Sequence, residues 1–311
     1  MCDYKMIGLI LMVTALLPLP QGVSQQIPER NGFVLSDLKI PLGEIRYGGP
    51  PGDGIPSIDQ PKFLEASDAF YLKSNDLVIG VSVNDESKAY PIRILNWHEI
   101  VNDEVGGLSV VITYCPLCRS GVVFDACIDG ELYTFGVSGL LYNSDVLLYD
   151  RETKSLWSQL MGSSISGDRS GTPLETVTSQ MVTWEEWQRW HPDTKVLSTD
   201  TGFARNYNST PYTLYSMSED LMFPVDRSNR ILPNKELVVG VELDGQYIAF
   251  PFSRLGRGKK EKTFRSLKVE FDRARKTAVV YDSHGDVYPS VTLYWFAWYA
   301  FHPETRIYPV K

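Results

Sequence analysis

The sequence predicts an α+β fold that is predominantly β, made of internally duplicated hairpin and strand units that each end in a tryptophan-bearing helix. Three observations predict it. First, "LVIGVSVNDESKAYPIRIL" at 77–95 aligns without a gap on "LVVGVELDGQYIAFPFSRL" at 237–255; Leu77, Val78, Gly80, Val81, Ala89, Pro91 and Leu95 recur as Leu237, Val238, Gly240, Val241, Ala249, Pro251 and Leu255. Second, "WEEWQRWHPDTKVL" at 184–197 aligns on "WFAWYAFHPETRIY" at 295–308, repeating Trp184, Trp187 and His191-Pro192 as Trp295, Trp298 and His302-Pro303. Third, the chain between these landmarks alternates short β-branched and aromatic runs with turn residues, and shows few helical periods.

The elements follow in order. Lys5 precedes an apolar run from Met6 to Leu17, followed by small and turn-forming residues. This is the pattern of a secretory signal over 1–24, cut after Ser24, and the run is short of the ~20 apolar residues of a membrane span. Export to the periplasm or the cell exterior is therefore expected, with Cys2 removed. Residues 25–62 are rich in glycine and proline and read as an extended N-terminal arm. A single globular domain of two pseudo-repeats, about 76–200 and 236–311, is expected over 63–311. In each copy a β-branched run meets a polar turn, "NDE" or "DGQ", and a second short run ends at proline, which is a hairpin signature. The W-x-x-W spacing places two indoles on one helix face. The helix then stops ahead of His-Pro, because a residue before proline avoids the helical region. "VVFDA" (122–126) resembles "VEFDR" (269–273), and "VLLYD" and "SLWSQ" flank "RETK" as a further hairpin.

Composition bounds the function. With 311 residues, 43% apolar and 22% charged, the chain is ordinary globular protein, and its net charge of −8 argues against the basic face of a nucleic-acid binder. Beyond the signal no segment is long and apolar enough to span a membrane. Removal of Cys2 leaves Cys115, Cys118 and Cys127, an odd number, so at least one thiol is free or a ligand. Cys127 reads as a small buried hydrophobe.

Duplication supplies an internal control: residues present in both copies build the scaffold, whereas reactive residues present once are candidates for function. The tryptophans are shared and read as core. His191 and His302 are shared and read as helix-end residues satisfying orphan carbonyls. Cys115 and Cys118, in "TYCPLCRSG", and His98, in "NWHEIVND", occur in the first copy alone; Gly258 stands at the offset of His98. Three readings of the C-x-x-C stay open. In one it is a redox dithiol, Cys115 attacking and Cys118 resolving, with Arg119 assisting the thiolate. In another, Cys115, Cys118 and His98 hold a soft metal, copper suiting an exported protein at least as well as zinc, with Gln159 or Met161 as a weak outer ligand. In the third it is a structural disulfide, although a four-residue loop removes little chain entropy. A redox or metal-delivery partner would accompany the first two. A hydrolase or lyase using Asp145, Arg151 and Glu99 is the competing class, and a non-catalytic binding module is another. The chain has no P-loop, dinucleotide fingerprint or H-E-x-x-H, and "GVSG" lacks the nucleophile-elbow spacing.

"GGPPGDGIPSIDQPKF", "AYPIRILNWHEIVND", "TYCPLCRSGVVFD" and "FGVSGLLYNSDVLLYDRETKSLWSQ" together resemble the domain of unknown function 3179 family, exported proteins of bacteria and archaea. The resemblance runs over roughly 45–311. It covers His98, Glu99, Cys115, Cys118, Asn143, Ser144, Asp145, Asp150 and Arg151, and implies no particular activity.

Overall fold

A computed structural model describes residues 27–309; the expected signal segment, with Cys2, lies outside them. Five sheets of three to five strands form the blades of a propeller-like arrangement. The first blade is built on the hairpin Leu77–Val83 and Glu86–Pro91, flanked by Ser179–Thr183, Lys195–Leu197 and Phe63–Glu65. The second is a meander of Ile100–Val105, Leu108–Cys115 and Ser120–Asp125, edged by Thr176–Val177. In the third, Phe135–Tyr142, Asp145–Asp150, Leu156–Ser158 and Ser163–Ser166 run in succession, and the arm adds Ile45–Tyr47 at the edge. The fourth blade combines the hairpin Leu237–Leu243 and Gln246–Pro251 with Val291–Tyr294 and Arg306–Ile307. The fifth is the three-stranded meander Lys259–Phe264, Leu267–Asp272 and Thr277–Tyr281.

The helices are α1 (Ile92–His98), α2 (Trp184–Trp190), α3 (Thr213–Met217), α4 (Phe252–Leu255) and α5 (Trp295–Phe301). Among the described residues no helix exceeds seven residues, too few for a layer of their own, so the described architecture is predominantly β and the α+β label gives way. Nor does the tryptophan helix end its unit. After α2 and α5 the chain returns as Lys195–Leu197 or Arg306–Ile307, pairing parallel with the second hairpin strand.

The duplicated hairpins take the two-residue turns that their sequences favour. Asn84-Asp85 and Asp244-Gly245 all have positive φ, as a type I′ turn requires. The equivalence extends to single bonds. Trp184 N–H donates to Asp76 O and Trp295 N–H to Glu236 O. Trp187 Nε1–H donates to Thr194 Oγ1 at 2.9 Å, and Trp298 Nε1–H to Thr305 Oγ1 at 2.8 Å. Each second indole lies on a strand glycine. A Cβ at Gly80 would stand 2.2 Å from Trp187, and one at Gly240 2.2 Å from Trp298, so only glycine admits the ring. Trp184, Trp187, Trp295 and Trp298 are all buried, as the core reading requires. Their histidines do not cap carbonyls through the ring. The backbone N–H groups of His191 and His302 take the carbonyls of Trp187 and Trp298, while His302 stacks on Tyr247.

The meanders differ from the sequence match. "VVFD" lies in the third strand of the second blade, whereas "VEFD" lies in the middle strand of the fifth, so those segments are not structural counterparts. Counting strands, the C-x-x-C turn after Leu108–Cys115 corresponds to the turn between Asp272 and Thr277, "DRARKT". The third blade has no partner in the second repeat. Among the described residues no helix is long and apolar enough to cross a membrane.

Candidate functional site

Cys115 closes the middle strand of the second blade and Cys118 follows in the turn; they are 1% and 0% exposed and are not bridged. The third blade meets them with its Asn143-Ser144 turn. Both residues have positive φ, so the hairpin closes in two residues and places Asp145 at the first strand position. The Ser144 carbonyl accepts from Cys118 Sγ at 3.3 Å and, more weakly, from Cys115 Sγ at 3.7 Å. Asp145 is fully buried. Its Oδ2 accepts from Leu160 N–H at 3.0 Å, while Oδ1 has no hydrogen-bond partner. One ligand atom each of Cys115, Cys118 and Asp145 lies within 4.8 Å of the other two.

Glu99 is joined to this turn through the backbone, its carbonyl accepting from the N–H of Tyr114, the residue before Cys115, at 2.8 Å. It caps α1 with φ +58, a conformation that disfavours side-chain-bearing residues by roughly 1 kcal/mol, whereas α4 in the second repeat ends on Gly256. Its carboxyl accepts from Tyr212 Oη at 3.3 Å.

The site is electrostatically one-sided. Burial raises the Glu99 carboxyl to about 8, with Asp145 adding to the rise. Burial likewise raises Asp145 to about 7, against backbone N–H donors and the neighbouring Cys115 and Cys118 thiols that lower it. Burial pushes both thiols upward, Cys118 the further of the two. Among the described residues no basic side chain offsets any of the four acids. Arg119 does not serve the thiols; its Nη2 donates to Lys276 O in the corresponding turn of the second repeat.

The other expected residues lie elsewhere. His98 is not a fourth member of the cluster. Its Nδ1 meets Pro56 O and its Nε2 meets Tyr207 Oη, each at 2.7 Å, so both ring nitrogens are occupied. Gln159 is no outer ligand, because its amide bridges Thr113 Oγ1 and Ser120 Oγ and braces the strands beneath the turn. Met161 is 41% exposed and lines a separate cleft of about 250 Å³, to which no cluster residue contributes. Arg151 follows the far end of the strand that Asp145 opens, about 20 Å away at strand rise. It pairs with Asp59 at 3.0 Å and Ser57 Oγ at 2.7 Å, tying down the arm. Asp145 and Arg151 therefore do not form one catalytic set. Cys127 is exposed, not buried, at the start of a two-stranded ribbon.

The connector between the repeats covers the site. Tyr207 reaches His98, Tyr212 reaches Glu99, and Tyr215 Oη donates to Leu117 O inside the C-x-x-C. Ser144 Oγ donates to Phe223 O. No sequence motif singles out these tyrosines, although "NYNSTPYTLY" lies outside both copies and so meets the same present-once test as the cysteines. Between connector, arm and third blade lies a cavity of about 270 Å³, with Glu99 and Leu117 in its wall.

A family model described as a protein of unknown function (DUF3179) matches residues 52–305. No curated protein and no solved structure matches the chain.

Proposed function

The chain belongs to the DUF3179 family of proteins of unknown function, and from its own residues we propose that it binds a thiophilic divalent metal ion at Cys115, Cys118 and Asp145. One observation carries the reading: two thiols and a carboxylate converge within 4.8 Å, wholly buried, with Asp145 Oδ1 left unpartnered. A buried unpartnered acceptor is costly, and four buried acids without a base are the complement of a cation. In a tetrahedral site with bonds of about 2.1–2.3 Å the ligands stand about 3.7 Å apart, which small side-chain rotations from this arrangement reach. Three protein ligands leave one position for Glu99, water or a substrate, the pattern of a reactive metal site more than of a closed structural one. Copper suits a cysteine–histidine set; with His98 held by Pro56 and Tyr207, two thiolates and a carboxylate suit zinc better.

The redox reading has less support, because burial and the absence of a nearby cation keep both sulfurs as thiols, the less nucleophilic form. Metal ligation would also shield the pair from oxidation in an exported protein. The test is elemental analysis of the full chain purified without chelator, paired with a thiol count after denaturation. The expected result is about one zinc per chain, lost in Cys118→Ser and Asp145→Asn and kept in His98→Gln. Metal-free protein with Cys115 and Cys118 joined reversibly in a disulfide would replace this reading with the redox one.

A further inference from the structure

We propose that the cavity beside Glu99 binds a neutral, largely apolar small molecule carrying one hydroxyl or carbonyl group. This deepens the metal reading, since the polar end of such a ligand would face the Cys115, Cys118 and Asp145 cluster.

The walls argue for the ligand class. Ile55 comes from the arm, Val137, Leu141 and Val146 from the third blade, and Phe223 from the connector. The polar side chains in the wall are Glu99 and Tyr212, hydrogen-bonded to each other at 3.3 Å. Among the described residues no lysine, arginine or histidine lines the cavity, and two thiolates with a carboxylate outweigh the charge of a divalent ion, so an anionic headgroup would enter without a counter-ion. An apolar chamber with a few convergent polar groups is the usual form of a small-molecule site. At about 270 Å³ it is well above the roughly 150 Å³ of a cavity that admits benzene, and it takes a two-ring molecule. Pro211 and Met222 are exposed at its rim, so the chamber reaches solvent. The polar groups lie together: Leu117, in the wall, is inside the C-x-x-C, and Glu99, also in the wall, accepts on its carbonyl from the N–H of Tyr114, the residue before Cys115.

The test is calorimetric titration of the full chain with 2-naphthol, naphthalene and 2-naphthoate. The expected result is one 2-naphthol per chain, bound at least tenfold tighter than either relative. Ile55→Trp and Val137→Phe, which fill the chamber from different walls, should each weaken 2-naphthol at least tenfold. Glu99→Leu should erase the preference for 2-naphthol over naphthalene. If one filling variant fails to fold, as judged by its thermal midpoint, the other decides. Absence of 2-naphthol binding, binding indifferent to the filling variant, or tighter binding of 2-naphthoate would overturn the proposal. Zinc content read on the same samples separates the two ideas. Zinc-free wild type that binds 2-naphthol refutes the metal reading alone, and zinc-loaded wild type that ignores 2-naphthol refutes this one alone.

Discussion

Tyr294 donates its backbone N–H to the Cys118 carbonyl at 2.9 Å. The strand that leads into α5 of the second repeat thereby holds the cysteine turn of the first. Tyr294 has φ −73, which proline also adopts, and its N–H is not needed in its own sheet. Tyr294→Pro should therefore remove this bond, and Tyr294→Ala the side chain alone. A bond of about 1 kcal/mol corresponds to roughly a fivefold change in local opening. Thiol labelling of Cys115 and Cys118 under native conditions is expected to be about fivefold faster in the proline variant than in the alanine variant. Equal rates would show that the bond does not restrain the turn.

Gly80→Ala and Gly240→Ala should each destabilise the fold by about 3 kcal/mol, since the new methyl enters a buried indole. Denaturant midpoints measure the loss. Trp187→Leu in the Gly80→Ala background should recover part of it, and no recovery would mean that the glycine serves something other than the ring.

Stability should fall in mild acid through His302. Burial against Tyr247 and Trp298 lowers its folded pKa to about 4, below the free value of 6.5. The unfolded chain therefore takes up the proton first. The contribution is complete above about pH 6.5 and is lost as pH falls from there toward 4. Between pH 7 and pH 5 the wild type should lose about 1–2 kcal/mol more than His302→Phe, in urea titrations at both pH values. Parallel losses in the two proteins would remove His302 as the cause.

Arg151→Ala should act on the arm and leave metal content at the wild-type level. The Asp59 pair is partly exposed, so about 1 kcal/mol of stability is at stake. Limited proteolysis should cut sooner within residues 48–60. Loss of metal with an intact arm would return Arg151 to the site.

Much of the scaffold was legible because local chemistry determines it. "ND" and "DG" specify hairpin turns, W-x-x-W specifies one helix face, and the repetition of both marks two copies. The blade count was not legible, because the third blade has no counterpart and sheet partners are set by contacts distant in sequence. The site was legible residue by residue but not as a grouping. Cys115, Cys118, Asp145 and Glu99 were all candidates, yet the cysteines were paired with His98 and the carboxylates with Arg151. Only the meeting of the Asn143-Ser144 turn with the C-x-x-C turn shows that thiols and carboxylates share one place. His98 follows the same hairpin but is turned to Pro56 and Tyr207, partners that no short-range pattern announces.

The C-x-x-C turn and the "DRARKT" turn occupy matching places in two copies of one meander. The chief differences between the two halves are one loop, the extra blade and the connector, while the glycine–tryptophan lock is the same in both. Distant kin that share this chassis would therefore be recognised by the lock, and kin that share its chemistry by what their meander turn carries.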